Sequence, residues 1–419
     1  MIRVEDSRRV LVMATLAIVL AMVSFTRPAH SQSSTALNVV YVESNIGSTK
    51  NSNSVFAYSN DGTGKLTAVA GSPFLTGGTG VYDPSQEKGK TEFDADQQVL
   101  VSPSNNLLFA VNGDSNTFAV FSISTANGSL AALPGSPFKS NGSDPVSFGL
   151  LYNILTGPES WLAVVNKGAD PNQTDAAPNI SVFRVTSAGI PTLDTKATVN
   201  LTANTSPSQI LTATGSAAKH QFWAFLDQYQ TAGSSLAGIY SYLVQGNGGL
   251  KSVNFTADPT DPPTLGLAAN SKYRVLYAGL PTLNEVGVFF YSPSTGTTTF
   301  SSAVANPGKG VGWLAVGPTG TAHFLYTSEA GSGTVTVYQI TGNGLTLTQV
   351  QQFTLTGAST IPGNLAFDTT GKFLYCLDNV HATLHVLDVD STTGKLSEPN
   401  APIALNVPTG EEPLGLAVD

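Results

Sequence analysis

The sequence predicts an all-β fold, a seven-bladed β-propeller built of four-stranded antiparallel blades. A short alternating hydrophobic segment recurs seven times, and residues typical of turns separate the recurrences. The seven segments are Val55–Tyr58, Phe118–Phe121, Ile180–Phe183, Ile239–Tyr242, Val286–Phe289, Val335–Tyr338 and Leu384–Leu387. Their closing residues lie 63, 62, 59, 47, 49 and 49 positions apart. All-strand repeats of roughly 40–50 residues are typical of propeller blades, which bury their faces by stacking around an axis.

A second strand precedes each repeated segment, and an inner strand precedes six of the seven second strands. The nearer, second strands are predicted at Val39–Val42, Leu107–Val111, Leu162–Val165, Phe222–Leu226, Val275–Ala278, Phe324–Thr327 and Phe373–Leu377. The inner strands before them are predicted at Gln98–Val101, Val146–Leu150, Gln209–Thr212, Thr264–Ala268, Gly312–Val316 and Asn364–Phe367. Turn sequences such as Asp368–Gly371 join inner to second strands, and sequences such as Asn127-Gly128 join third to fourth strands.

The two ends of the repeat region complement each other. Leu37–Asn45 has no inner strand before it, and Leu414–Asp419 has no second strand after it. Pairing these two strands in one blade would close the ring and leave no open sheet edge. We therefore predict seven blades, with eight as the alternative.

Residues 1–31 are predicted to be a signal peptide and residues 32–419 a single propeller domain. Arg3, Arg8 and Arg9 precede an apolar stretch, and the small residues Ala29 and Ser31 place cleavage before Gln32. About 15 apolar residues fall short of a membrane span, so no span is expected after cleavage. The Arg8-Arg9 pair leaves general secretory and twin-arginine export both open. Either route predicts a periplasmic or secreted protein.

Composition supports that location and excludes some partners. The net charge of −9 becomes −11 without residues 1–31, which hold four Arg and two acidic residues. Such a chain lacks the basic footprint of nucleic-acid binding. The segment 1–31 also contains all three Met, and the single cysteine, Cys376, lies inside a predicted strand. An oxidising compartment favours this scarcity of Met and Cys. We expect a monomer without internal disulfides.

Propeller geometry brings the loops after second strands and the loops before inner strands to one face. Loops after second strands carry predicted ligand-binding residues Asn112, Asp114, Asp227, Glu329 and Asp378. Several carboxylates on one face could bind Ca²⁺, and the stretch 170–175 is the densest. The alternative is a solvated acidic rim that keeps the protein soluble. The long insertion 75–96 is expected on the same face, where long loops are often functional.

Polar residues near the start of inner strands are predicted to line the central mouth of the ring. They are Gln98, Gln209, Thr264 and Asn364. Uncharged side chains at these positions favour a neutral polar ligand or ordered water, and they provide no proton acceptor. Trp161, Trp223 and Trp313 could stack on sugar rings or pack between blades. The scattered histidines do not predict a zinc or copper site.

The best-formed repeat runs from Asp368 to Asn379 and continues through Thr383–Asp388 to Lys395. This repeat closely resembles that of the lactonase-like seven-bladed propellers. That group includes propeller-type 6-phosphogluconolactonases, carboxymuconate-lactonising enzymes and YVTN-repeat proteins. The phrases Ala70–Phe74 and Pro134–Phe138 resemble its exported bacterial branch.

The resemblance implies a lactonase with His and Arg at the inner-strand mouths and a Glu nearby. The seven mouths here carry no His or Arg, as Asp96-Gln97-Gln98 and Pro362-Gly363-Asn364 illustrate. Lactone opening needs a base for water and a donor or cation for the developing oxyanion. No catalytic residue is therefore assigned. We predict a secreted scaffold whose acidic face binds a small molecule, a carbohydrate or a protein, with lactone hydrolysis as the alternative.

Overall fold

The computed structural model describes residues 38–83, 94–102, 106–152, 160–169, 176–215, 221–229, 237–257, 263–318 and 323–419. They form seven antiparallel sheets, each running from an inner strand to an outer strand. Inner strands of successive sheets contact one another all the way round, from β32 through β5, β10, β15, β19, β23 and β27 back to β32. The seven-bladed propeller predicted from the sequence is confirmed.

Blade one contains both ends of the described chain, and blades two to seven follow in chain order. Its inner strand is β32 (Leu414–Val418). The other inner strands are β5 (Val99–Ser102), β10 (Pro145–Tyr152), β15 (Ser206–Thr214), β19 (Leu265–Asn270), β23 (Val311–Val316) and β27 (Pro362–Phe367). The second strands are β1 (Val39–Glu43), β6 (Leu107–Asn112), β11 (Ser160–Asn166), β16 (Phe222–Tyr229), β20 (Val275–Leu280), β24 (Phe324–Glu329) and β28 (Phe373–Asp378).

The remaining strands complete each blade toward its rim. The third strands are β2 (Ser54–Asn60), β7 (Thr117–Ile123), β12 (Asn179–Val185), β17 (Gly238–Val244), β21 (Glu285–Tyr291), β25 (Thr334–Thr341) and β29 (Thr383–Val389). Continuous outer strands are β18 (Leu250–Thr256), β22 (Thr298–Ala305) and β26 (Thr346–Thr354). Outer strands in two pieces are β3 (Leu66–Ala68) with β4 (Phe74–Leu75), β8 (Leu130–Ala132) with β9 (Phe138–Lys139), β13 (Pro191–Leu193) with β14 (Val199–Asn200), and β30 (Leu396–Ser397) with β31 (Ile403–Ala404).

The repeated Gly-Ser-Pro sequences explain two of these divided outer strands. Each third strand would lose hydrogen-bond partners where its outer strand is interrupted. The Ser72 hydroxyl accepts a hydrogen bond from the Ala57 N–H at 2.9 Å, and Ser136 accepts one from Val120 at 3.0 Å. A side chain thus replaces the missing backbone acceptor, so the buried donor remains satisfied.

Ring closure follows the predicted route. Strand β1 pairs with β32 in antiparallel register, with Tyr41 opposite Ala417. Glu411 strengthens the junction, because its carboxylate accepts hydrogen bonds from the Gly47 and Ser48 N–H groups at 3.0 and 2.9 Å. The last strand therefore leaves β1 with a partner on both sides.

The hydrophobic core lies between blades, in seven clusters that each join two neighbours. Tyrosines of the second strands add a repeated polar contact. The Tyr41, Tyr277 and Tyr326 hydroxyls donate to carbonyl oxygens of Gly128, Gly344 and Gly394 in the next blade, at 2.8–2.9 Å. These tyrosine hydrogen bonds therefore fix the spacing of neighbouring blades. The attraction between the blades comes from burial of their apolar side chains, which contributes about 1.5–3 kcal/mol of folding free energy for each fully buried one.

Candidate functional site

Two kinds of loop meet on one face of the ring, which we call the top face. One kind leads into the inner strands, and the other follows the second strands. At this face the register between inner and second strands shifts in blades one, three, four, five, six and seven. Such bulges leave backbone N–H groups outside the ladder and redirect side chains. The top face therefore has free backbone donors that need acceptors.

Buried polar residues at the ends of the second strands supply many of those acceptors. They are Glu43, Asn112, Asn166, Asp227, Glu329 and Asp378, and blade five has Leu280 instead. Asp227 accepts hydrogen bonds from the Ser208 hydroxyl at 2.7 Å and the Gly266 N–H at 2.9 Å. Asp378 accepts one from the Ile361 N–H at 3.1 Å. These side chains therefore tie inner strands to neighbouring elements.

Burial makes several of these carboxyl groups weak acids. It raises the pKa of Asp227 to about 7, although Lys167 and three hydrogen-bond donors lower it in part. It raises the pKa of Glu329 to about 6, against hydrogen bonds from Thr327, Thr334 and Asn306. The carboxyl groups were expected either to bind Ca²⁺ or to form a solvated rim. In the structure, Glu43, Asp227, Glu329 and Asp378 are buried and bonded to the protein's own donors, so these four do not belong to a solvated rim.

The axial segment, Asp94–Gln98, lies across the top of the central channel. The Asp96 N–H donates to the Ser208 carbonyl at 3.2 Å, and the Gln97 carbonyl accepts from Phe148 N–H at 3.1 Å. These partners belong to blades four and three, and Asn364, a third partner, belongs to blade seven. The Asn364 amide donates to Asp96 Oδ1 at 2.8 Å. The end of the insertion 75–96 therefore closes the central mouth from above, while its residues 84–93 are outside the described chain.

The four residues predicted to line the mouth are buried there. Gln98 donates to the Ala95 carbonyl at 2.7 Å. Gln209 donates to Gln97 at 3.3 Å and accepts from the Leu267 N–H. Asn364 also accepts from the Gly415 N–H at 3.1 Å, and Thr264 is fully buried. The side chains of Gln98, Gln209 and Asn364 are therefore hydrogen-bonded to the axial segment and to inner strands. As ligand contacts, the four residues stay predictions.

Three other predicted ligand-binding residues lie away from the mouth. Asn112 lies at the boundary of blades one and two, where it accepts a hydrogen bond from Asn53 at 3.0 Å. Asp114 is partly exposed in the turn between β6 and β7. Glu329 is enclosed by Asn306, Thr327 and Thr334 of blades five and six. These residues also stay predictions as ligand contacts.

Two functional groups at the mouth were missed by the sequence search, which considered His and Arg at inner-strand starts. Asp96 is a carboxylate on the axis, and burial raises its pKa to about 6. Lys167 follows the second strand of blade three, is buried, and donates from Nζ to the Asp94 carbonyl at 2.8 Å. The position of Asp96 next to a predicted inner strand was a signal that could have identified it.

Beside the closed mouth, an open cleft of about 120 Å³ lies over blades five, six, seven and one. Leu265, Trp313, Ile361, Val380 and Leu414 give it an apolar lining. Its polar lining residues are Asp94, Asn379 and Glu412. Clefts with apolar walls and a few polar groups are typical small-molecule sites.

The three tryptophans divide between packing and the cleft. Trp161 packs on Gly248 and Trp223 on Gly296, each in the next blade, and a Cβ on either glycine would lie only 2.1–2.2 Å from the indole. Packing between blades therefore accounts for these two residues. Trp313 is 7% exposed and contributes to the cleft wall.

Histidines and carboxylates do not gather into a metal site in the part of the chain that the structure describes. No group of three or more His, Cys, Asp or Glu side chains there is placed to hold a metal. His381 pairs with Asp378 at 2.9 Å and His385 with Glu398 at 2.7 Å. The acidic stretch 170–175 is outside the described residues, so calcium binding stays a prediction.

No helix among the described residues is long and apolar enough to cross a membrane. The predicted signal peptide, residues 1–31, is outside the described chain.

Comparisons with known proteins agree with the fold. Residues 284–410 match the family described as Lactonase, 7-bladed beta-propeller. A periplasmic gluconolactonase of Pseudomonas aeruginosa is similar in structure with a TM-score of 0.66 and 14% identity, over 91% of this chain and 99% of that one. A Bacteroides uniformis protein provisionally assigned as a 6-phosphogluconolactonase has a TM-score of 0.66 and 15% identity, over 91% and 99%.

A similar protein of Bacteroides fragilis, with the same provisional assignment, has a TM-score of 0.62 and 17% identity, over 92% of this chain and 99% of that one. No curated protein matches the sequence. At these identities the structural likeness establishes the fold alone. The chain is a seven-bladed β-propeller, and its residues 284–410 are similar in sequence to the lactonase family of such propellers.

Proposed function

We propose that this propeller binds a small neutral molecule with one apolar face, such as a sugar or sugar-lactone ring, in the top-face cleft. The observation that carries the proposal is the contrast between the closed mouth and the open cleft. At the mouth, the axial segment and inner strands engage Gln98, Gln209 and Asn364. The cleft next to it is open and lined by apolar side chains. A ligand that covers those side chains gains their burial free energy.

Charge supports a neutral rather than an anionic ligand. Asp94 and Glu412 line the cleft, and its described lining contains no Lys, Arg or His. The chain as a whole is acidic. A phosphorylated sugar would therefore meet repulsion at the cleft without a basic partner. The predicted acidic top face thus contributes to selectivity.

We also propose that the protein is exported, with cleavage before Gln32, and acts as a monomer. The basic start, the apolar stretch and the small residues Ala29 and Ser31 support export. A relative in fold is described as periplasmic. Sequencing the N-terminus of exported protein tests the cleavage site, and material beginning at Met1 would contradict it.

Calorimetric titration with neutral monosaccharides, glucono-δ-lactone and their 6-phosphates tests the binding proposal. We expect the neutral compounds to bind and the phosphorylated ones to bind at least about tenfold more weakly, a difference of about 1.4 kcal/mol. Ile361→Ala should weaken binding about tenfold, because it removes apolar contact from the cleft wall. Trp313→Phe is a second cleft variant that keeps an aromatic ring.

Ile190→Ala is the matched control, since Ile190 is also half-buried but follows β12 at the opposite face. It should leave binding unchanged. Equal losses in Ile361→Ala and Ile190→Ala would show that the cleft is not the site. Tighter binding of the 6-phosphates than of the neutral sugars would overturn the argument from charge.

A second candidate function is lactone hydrolysis, and Asp96 is the observation that favours it. Its carboxylate lies at the axial mouth with the Asn364 amide 2.8 Å away, and its pKa is raised to about 6 by burial. A carboxylate with such a pKa can accept a proton from water near neutral pH. The Lys167 ammonium, 2.8 Å from the Asp94 carbonyl, adds positive charge near the same segment.

A pH–rate profile separates this candidate from simple binding. If Asp96 is the base, lactone turnover should rise as the pH passes upward through about 6, because only the ionised carboxylate accepts a proton. Asp96→Asn should then reduce turnover by about 10²–10⁴-fold. Asp390→Asn, an exposed carboxylate at the opposite face, is the control. Turnover that survives Asp96→Asn would exclude this role.

A further inference from the structure

A second groove continues outward from the cleft along the boundary of blades six and seven. The two depressions share Ala330 and Ile361 in their linings, so they form one continuous path from near the axis to the rim. The outer groove has a volume of about 410 Å³. Its walls are the turn 330–333, which follows the second strand of blade six, and the segment 354–360, which leads to blade seven.

The chemistry of this outer groove differs from that of the cleft. Exposed hydroxyl groups of Ser332, Thr354 and Ser359 line it, together with exposed backbone at its glycines. Its described lining contains no ionisable side chain. The buried Thr360 joins the two walls, because its hydroxyl donates to the Gly333 carbonyl at 3.4 Å. The groove therefore presents neutral hydrogen-bond donors and acceptors on two walls that are hydrogen-bonded to each other.

We propose that the cleft and the outer groove together bind a linear, neutral oligosaccharide. One sugar would lie against the apolar wall that includes Trp313, and the following sugars would extend outward past Ala330 between the hydroxyl-lined walls. A sugar ring has an apolar C–H face and an edge of hydroxyl groups, and these match the apolar cleft and the hydroxyl-lined groove in turn. The inference rests on the proposed binding function and extends it from a single ring to a chain.

The experiment is a chain-length series measured by calorimetric titration with glucose and with cello- and malto-oligosaccharides of two to five units. In the wild-type protein we expect the affinity of at least one series to rise about tenfold or more between one and three units. Thr354→Trp should abolish that rise while single-sugar binding stays within about twofold. Thr354 is exposed and lines the outer groove but not the cleft, so an indole there would block the path without replacing a buried group.

Ala131→Trp is the matched control, because Ala131 is an exposed alanine on the outer strand of blade two. It should keep the chain-length dependence. If single sugars bind in an Ile361-dependent manner and longer chains bind no better, the oligosaccharide inference is overturned while the proposed function stands. If none of the sugars bind, the oligosaccharide inference and the proposed binding function are both wrong. Binding of a Gly-Ser peptide that Thr354→Trp abolishes, with no chain-length effect for sugars, would overturn the inference in favour of an extended peptide.

Discussion

The mouth and the cleft lie side by side on the same face, yet they use polar chemistry in opposite ways. At the mouth, polar side chains from blades two, four and seven are buried and bonded to backbone and side-chain groups across the ring. In the cleft, the half-buried Ile361 and Val380 of blade seven face the opening, and Leu265, Trp313 and Leu414, each 7% exposed, complete its apolar wall. The comparison teaches that polarity near the axis stabilises the ring here, whereas the adjacent apolar surface is available to a ligand.

Deleting residues 411–419 should have the largest effect, because it removes part of both regions. It takes β32 and the Glu411 contacts from blade one, removes the Gly415 partner of Asn364, and leaves β1 with an unpaired edge. We expect the melting temperature to fall by more than about 10 °C, measured by calorimetry. Deleting Asp419 alone, which costs one backbone hydrogen bond to Val39, should cause a far smaller change. An unchanged melting temperature in the longer deletion would contradict the conclusion that pairing of β32 with β1 stabilises the ring.

Two asparagines allow the mouth and the cleft to be compared directly. Asn364→Ala removes buried hydrogen bonds to Asp96 and Gly415, so we expect a loss of about 3 kcal/mol in the free energy of unfolding. Asn379→Ala removes one bond, 2.7 Å long, to the Pro413 carbonyl, and should cost about 1 kcal/mol. Urea denaturation measures both. A larger loss in Asn379→Ala would reverse the roles assigned to the two regions.

Asp227→Asn tests whether the buried carboxyl groups near the mouth make stability depend on pH. Burial raises the pKa of Asp227 from 3.8 to about 7, so the folded state holds this proton more tightly than the unfolded state. The resulting stabilisation is complete below pH 3.8 and is lost as the pH rises through 7. It amounts to at most about 4 kcal/mol.

The substitution should therefore flatten the decline in unfolding free energy across that window, measured by denaturation at successive pH values. Asp390→Asn provides the contrast. Hydrogen bonds from Thr393 lower the pKa of that exposed carboxyl, so its removal should leave the decline above pH 4 in place. Identical pH profiles for wild type and Asp227→Asn would contradict a titrating role for Asp227.

Local sequence rules were sufficient for the fold. Strand alternation, turn residues and the unmatched segments at 37–45 and 414–419 predicted the blades and their closure, because strand period and turn chemistry are encoded by neighbouring residues. The same rules placed Gln98, Gln209 and Asn364 at the mouth. They could not show that the axial segment engages these side chains, since Asn364 and Asp96 are 268 positions apart.

The cleft could not be predicted from the sequence, because its lining residues are also far apart along the chain. Leu265, Ile361 and Leu414 look like ordinary core residues in the sequence, and only the meeting of four blades leaves them facing an opening. The carboxyl groups at the ends of second strands, such as Asp227 and Glu329, were expected near solvent. Asp227 accepts the Gly266 N–H, which a bulge leaves outside the ladder, whereas Glu329 is buried among the side-chain donors of Asn306, Thr327 and Thr334.

The position of the two chain ends has a consequence for how the protein can be attached to something larger. Val39 begins β1 at the face opposite the cleft, and the Asp419 N–H donates to the Val39 carbonyl at 3.0 Å. A tether or domain joined directly at Val39 or Asp419 would therefore leave from that opposite face. A protein immobilised through such a junction would present its cleft to the solution.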